Sequence, residues 1–76
     1  MGNLVAKRIE DVLTPIVGTV LAAVSVDLES KRIGKDRDSI SSFDLPLIAE
    51  NLATALKLVV GPDVAAAAAQ QVRELA

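Results

Sequence analysis

Apolar residues recur at intervals of three and four from Val5 onward: Val5, Ile9, Val12, Ile16, Val20, Val24 and Leu28, with Leu13, Val17 and Leu21 widening the stripe. The period predicts one long amphipathic helix with Asn3 as its N-cap. Pro15 falls inside it, where proline deletes a hydrogen bond to the Asp11 carbonyl and crowds the preceding turn. Two readings follow: Thr14 caps a second helix that starts at Pro15, or one helix runs through with a kink. The stripe keeps its phase across Pro15, which favours the kinked helix. Near its end Asp27 and Lys31 are spaced for an i,i+4 pair. Lys31 and Arg32 suit a helix C-terminus, and Gly34 is placed to stop it.

The opposite side carries Lys7, Asp11, Thr14, Gly18, Ala22, Ser25, Glu29 and Arg32 at the same spacing. Its ends are charged and its middle is small. Gly18-x-x-x-Ala22 would admit another backbone at close range, as small residues do at tight helix crossings. Val12 to Val26 holds no charged residue at all. A helix that can be covered from two directions is therefore expected.

Lys35 to Ser42 is polar and reads as a connector. Asp44 then looks like an N-cap, with Leu45 and Pro46 in the first helical turn and Phe43 and Ile48 at the two places of a hydrophobic staple. A second helix is predicted to run to about Val60, with Leu45, Ile48, Leu52, Leu56 and Val59 on its buried stripe. Gly61-Pro62 ends it and opens a third, roughly Asp63 to Leu75, in which Val64, Ala68, Val72 and Leu75 face inward. Ala65 to Ala69 give this helix high propensity and a thin profile, so that it can lie close to its neighbour. The short joint makes the last two helices an αα-hairpin. No internal repeat or domain boundary stands out, and residues 1–76 read as one small helical domain. The predicted fold class is all-α: a long kinked N-terminal helix followed by a two-helix hairpin.

Composition sharpens this picture. Of 76 residues, 51% are hydrophobic, and Phe43 is the only aromatic. A chain this short buries only roughly 60% of the surface its unfolded form exposes. The surplus of aliphatic residues must lie on the surface or against another chain, and contiguous apolar patches mark interaction sites. A homo-oligomer is expected, most simply an intertwined two-fold dimer. Ile9, Val12, Ile16, Gly18, Val20, Ala22, Val24 and Leu28 are its candidate interface.

Charge and chemistry add mainly exclusions. The net charge is −2, with no basic excess to neutralise phosphates, so no nucleic-acid partner is expected. Lys31, Arg32, Lys35 and Arg37 cluster, but Asp36 and Asp38 interleave with them. The chain has no His, Cys, Tyr or Trp. The commonest acid–base group, the thiol nucleophile and the usual transition-metal ligands are thus missing. Asp36-x-Asp38 begins like a calcium loop, but Ile40, Ser41 and Leu47 stand where that loop needs a ligand, a glycine and a glutamate. No catalytic residue, metal or cofactor is expected. The apolar run is too short and too interrupted for a membrane span, and Glu10 and Asp11 precede it where a signal peptide avoids acid. The expectation is a soluble, cytoplasmic, non-enzymatic interaction module that works as a homo-oligomer, either an assembly scaffold or a small regulatory subunit.

One stretch points elsewhere. Asp38-Ser39-Ile40-Ser41-Ser42-Phe43-Asp44-Leu45 resembles the signature of acyl carrier proteins, in which Asp-Ser-Leu opens a helix. The resemblance covers about eight residues and implies Ser39 as the attachment point of a phosphopantetheine arm. A carrier-like protein is accordingly the alternative function.

Overall fold

The computed structural model describes residues 3–75. Among them four α-helices follow one another: α1 (Leu4–Val17), α2 (Thr19–Arg32), α3 (Leu45–Val60) and α4 (Pro62–Arg73). A 3₁₀ turn over Ser42–Asp44 leads into α3. The all-α class and the hairpin of the last two helices agree with the sequence pattern. The long kinked first helix does not: the chain stays helical through Pro15 and breaks at Gly18.

The reason lies in the backbone. Pro15 sits in the last turn of α1, exposed, so the bond it deletes belongs to a carbonyl that water can reach. Gly18 takes φ 89° and ψ 165°, a conformation essentially confined to glycine. Its N–H donates to the Thr14 carbonyl at 2.9 Å, and its own carbonyl accepts from the Ala22 N–H at 3.0 Å. One residue therefore closes α1 and opens α2.

Gly61 does the same between α3 and α4. Its φ is 86° and ψ 164°, its N–H donates to Lys57 at 3.2 Å, and its carbonyl accepts from Ala65 at 3.1 Å. The two helix–glycine–helix units are equivalent well beyond the joint. At an offset of 43 residues, Ala6 matches Ala49, Ile9 Leu52, Leu13 Leu56, Ala22 Ala65, Val26 Ala69 and Glu29 Val72, and every one of these residues is buried. The fold thus contains an internal repeat that sequence periodicity alone does not disclose. The two units pack crosswise, α1 against α4 and α2 against α3.

Fifteen apolar side chains form the core, six of them alanines. α3 and α4 supply most: Leu45, Ile48, Ala49, Leu52 and Leu56 from one, Ala65, Ala68, Ala69 and Val72 from the other. Val59 and Val64, expected inside, are exposed. The accessible surface is 4531 Å², against about 4,400 Å² for a folded monomer of this mass. The core closes within one chain, so the fold calls for no exchange of elements between intertwined copies.

Local chemistry fixes the ends. Asn3 Oδ1 accepts from the N–H groups of Val5 (2.7 Å) and Ala6 (3.4 Å), as an N-cap should. Its Nδ2 donates to the carbonyls of Asp38 and Ile40, tying the connector to the start of α1 and seating buried Ile40. Past α2, Gly34 donates to Lys31 and Lys35 to Ser30, the paired bonds of a Schellman stop. Asp44 takes the N-cap place of α3, as expected, but without a side-chain cap bond: its carboxylate instead accepts from the Ser41 N–H at 2.9 Å, closing a capping box on the 3₁₀ turn. The expected staple is absent, because Phe43 is 95% exposed.

Candidate functional site

The break at Gly18 resets the helical phase. Up to Val17 the predicted stripe points inward: Ile9 is fully buried, and Val12 and Ile16 pack against the core. Beyond it the same stripe points outward, with Val20 75%, Val24 44% and Leu28 52% exposed. Leu21 lies beside them, also exposed. These four side chains cover the outer face of the first three turns of α2, and Lys31 and Arg32 follow at its C-terminal end. The residues singled out from sequence are therefore not brought to one surface. Ile9 and Ala22 are spent in the chain's own core. Gly18 forms the joint rather than a close helix crossing, and a Cβ added there would meet no atom within 4 Å.

The inward face of α2 is unusual. It consists of Ala22, Val26, Glu29 and Ser30, all buried. Ser30 satisfies its hydroxyl on the Val26 carbonyl at 2.7 Å. Glu29 is only 3% exposed, and its Oε1 has no hydrogen-bond partner; Arg32 Nε stands 3.7 Å away. Burial raises the carboxyl pKa, with the Arg32 charge opposing. α2 thus hides a carboxylate and shows its large aliphatic side chains.

Two members of the basic cluster, Lys35 and Arg37, are drawn into the fold. Arg37 reaches from the connector to Glu10 on α1 and to Asp27 on α2, the latter at 3.3 Å. Asp27 therefore pairs with Arg37 rather than with Lys31. Lys35 Nζ donates to Asp44 Oδ2 at 2.8 Å, and this bond, with that from the Ser41 N–H, holds the Asp44 carboxyl below its ordinary pKa. Sequence reasoning missed both Glu29 and the Arg37 clamp. For Glu29 a signal existed: Ala22, Val26 and Glu29 share a helical face that becomes the inner one once Gly18 is matched to Gly61.

Ser39 lies in the connector, ahead of the 3₁₀ turn, with its exposed hydroxyl bonded to the Asp36 backbone at 3.1 Å. A surface groove of about 530 Å³ runs between α1 and α4 beside Arg8, Asp11, Gln71 and Glu74. Charges of both signs line it, and its Asp11 is already paired with Lys7 at 3.0 Å. Among the described residues no group of three His, Cys, Asp or Glu side chains is placed to hold a metal. No helix there is long and apolar enough to cross a membrane. No family model, curated protein or solved structure matches this chain.

Proposed function

We propose that this protein is a non-enzymatic helical interaction module, an assembly scaffold or small regulatory subunit, working through the outer face of α2. One observation carries the reading: α2 exposes Val20, Leu21, Val24 and Leu28 while the core is complete without them. Leaving aliphatic surface of this kind in water forgoes burial worth roughly 25 cal/mol per Å². A covering partner recovers it.

The equivalent helix supplies an internal control. α4 occupies the same place in the second unit, and at the positions matching Val20, Val24 and Leu28 it has Asp63, Ala67 and Gln71. That face is more polar, with one large exposed aliphatic residue, Val64, at the position matching Leu21. A photo-crosslinking residue placed at Leu28, in the source cell, is expected to give a discrete covalent adduct, whereas the same residue at Gln71 gives none. Equal labelling at both positions, or no adduct at Leu28, would refute the reading.

A further inference from the structure

α2 and α4 hold equivalent places, yet their inner faces differ. Where α4 buries Ala65, Ala68, Ala69 and Val72, α2 has Ala22, a partly buried Ser25, Val26 and Glu29. Two apolar places are thus taken by polar side chains. We infer that α2 is an independently opening helix: the segment from Gly18 to Asp36 leaves the fold as a unit while α1, α3 and α4 stay packed, and the buried side chain of Glu29 sets how often it does so.

The first observation is Glu29 itself. Its Oε1 is buried without a hydrogen-bond partner, and Arg32 Nε at 3.7 Å stands beyond bonding range. A carboxylate so placed is better solvated outside the fold than inside it, whereas Val72 in the matching place gains by burial. The second is the pair of joints. Gly18 and Gly34 bracket α2, each at positive φ with open space around it, so the chain can redirect there without displacing a neighbour. Gly61 is followed by Pro62, whose ring fixes φ; the matching residue after Gly18 is Thr19, which leaves that joint freer. The third is the anchoring of the connector. Asn3 Nδ2 donates to the Asp38 and Ile40 carbonyls at 3.1 and 2.7 Å, Ile40 is buried, and Arg37 pairs with Glu10. From Arg37 onward the connector is thus fastened to α1 and stays when α2 departs.

α2 gives up little by leaving. Its own apolar share of the core is Ala22 and Val26, and its one tie to the connector's side chains is the half-exposed Asp27 on Arg37. α1, by contrast, keeps Ala6, Ile9 and Leu13 fully buried. Segments with the least apolar burial open first and as cooperative units. This opening depends on the inner face of α2 alone, whatever becomes of the outer one.

The repeat supplies matched reporters. Ala6 and Ala49, and Ala22 and Ala65, are equivalent pairs, one alanine in each helix, all fully buried. The chain has no cysteine, so one Ala→Cys change per variant gives a single thiol whose reaction with a maleimide reports exposure. Each variant's own urea melt supplies the rate expected from global unfolding. Ala22→Cys should react at least about tenfold faster than that rate, with a shallower urea dependence because less surface is exposed. Ala6→Cys, Ala49→Cys and Ala65→Cys should follow global unfolding. Ser30→Cys, buried on α2 and nearly isosteric, repeats the measurement if Ala22→Cys folds poorly. Adding Glu29→Val should slow the α2 reaction roughly tenfold by removing the unpartnered buried group. Four thiols that all follow global unfolding, with Ser30→Cys among them, would overturn the independent opening. Ala6→Cys as fast as Ala22→Cys would overturn it as well, because α1 and α2 would then leave together. An α2 reaction unchanged by Glu29→Val would overturn the part assigned to Glu29.

Discussion

At Gly18 and Gly61 the backbone lies in a region that a Cβ makes costly, yet the space around each Cβ position is empty. Alanine at either site is therefore opposed by conformation and not by crowding. Gly18→Ala and Gly61→Ala should each lower stability by about 1–3 kcal/mol, and urea melts should show similar losses from the two. A loss at one joint only would mean that the units are not equivalent. Glu29 makes a second case. Its counterpart is Val72, and its unpartnered buried oxygen carries a penalty of about 1–3 kcal/mol. Because burial raises its folded pKa above the ordinary glutamate value of about 4.3, the fold binds the proton more tightly than the unfolded chain does. The relief from protonation is complete below the ordinary value and is lost as pH rises through the folded one. Glu29→Val should accordingly stabilise the protein at neutral pH, with a gain that shrinks near pH 4. Thermal melts of both proteins at the two pH values check this, and an equal gain at both would contradict it.

α1 and α2 turn at a single residue, and Arg37 ties them together from outside by pairing with Glu10 and Asp27. The guanidinium is one-third exposed and Asp27 about half, so screening discounts the clamp. Arg37→Met should cost up to about 1 kcal/mol, and molar salt should remove most of the difference from wild type. A loss that persists in high salt would show that the aliphatic stem, rather than the charge, holds the connector. The same helix pair shows why α2 inverts. An α-helix has no inside of its own; the neighbour it meets decides which stripe is buried. Turning at Gly18 gives that place to Ala22, Val26, Glu29 and Ser30, and sends Val20, Val24 and Leu28 outward.

Across the molecule the core is unevenly shared. Nine of its fifteen apolar members belong to α3 and α4, while α2 contributes only Ala22 and Val26, next to a buried carboxylate. Local opening follows apolar burial. Native-state hydrogen exchange at low protein concentration should thus find the slowest amides in α3 and α4 and the fastest helical amides in α2. Uniform protection of all four helices at every concentration would show that the core distribution does not govern stability here.

The order of residues by itself determined that this chain is helical, that Asn3 starts the first helix, that Gly34 ends the second, and that Gly61-Pro62 joins a hairpin. These features are local: capping groups, backbone preferences and a 3.6-residue period act within a turn or two. The same local rules gave Pro15 the weight of a kink and let the stripe run unbroken through Gly18, because proline's defect is visible in any helix whereas a glycine's φ is chosen by what surrounds it. Only the tertiary structure decided that Gly18 is a joint, that the chain is built from two equivalent units, and which side of α2 meets the core. The physical reason is that burial belongs to pairs of elements: a stripe of Val and Leu states an appetite for contact, and the packing of the other helices determines whether it is met within the chain.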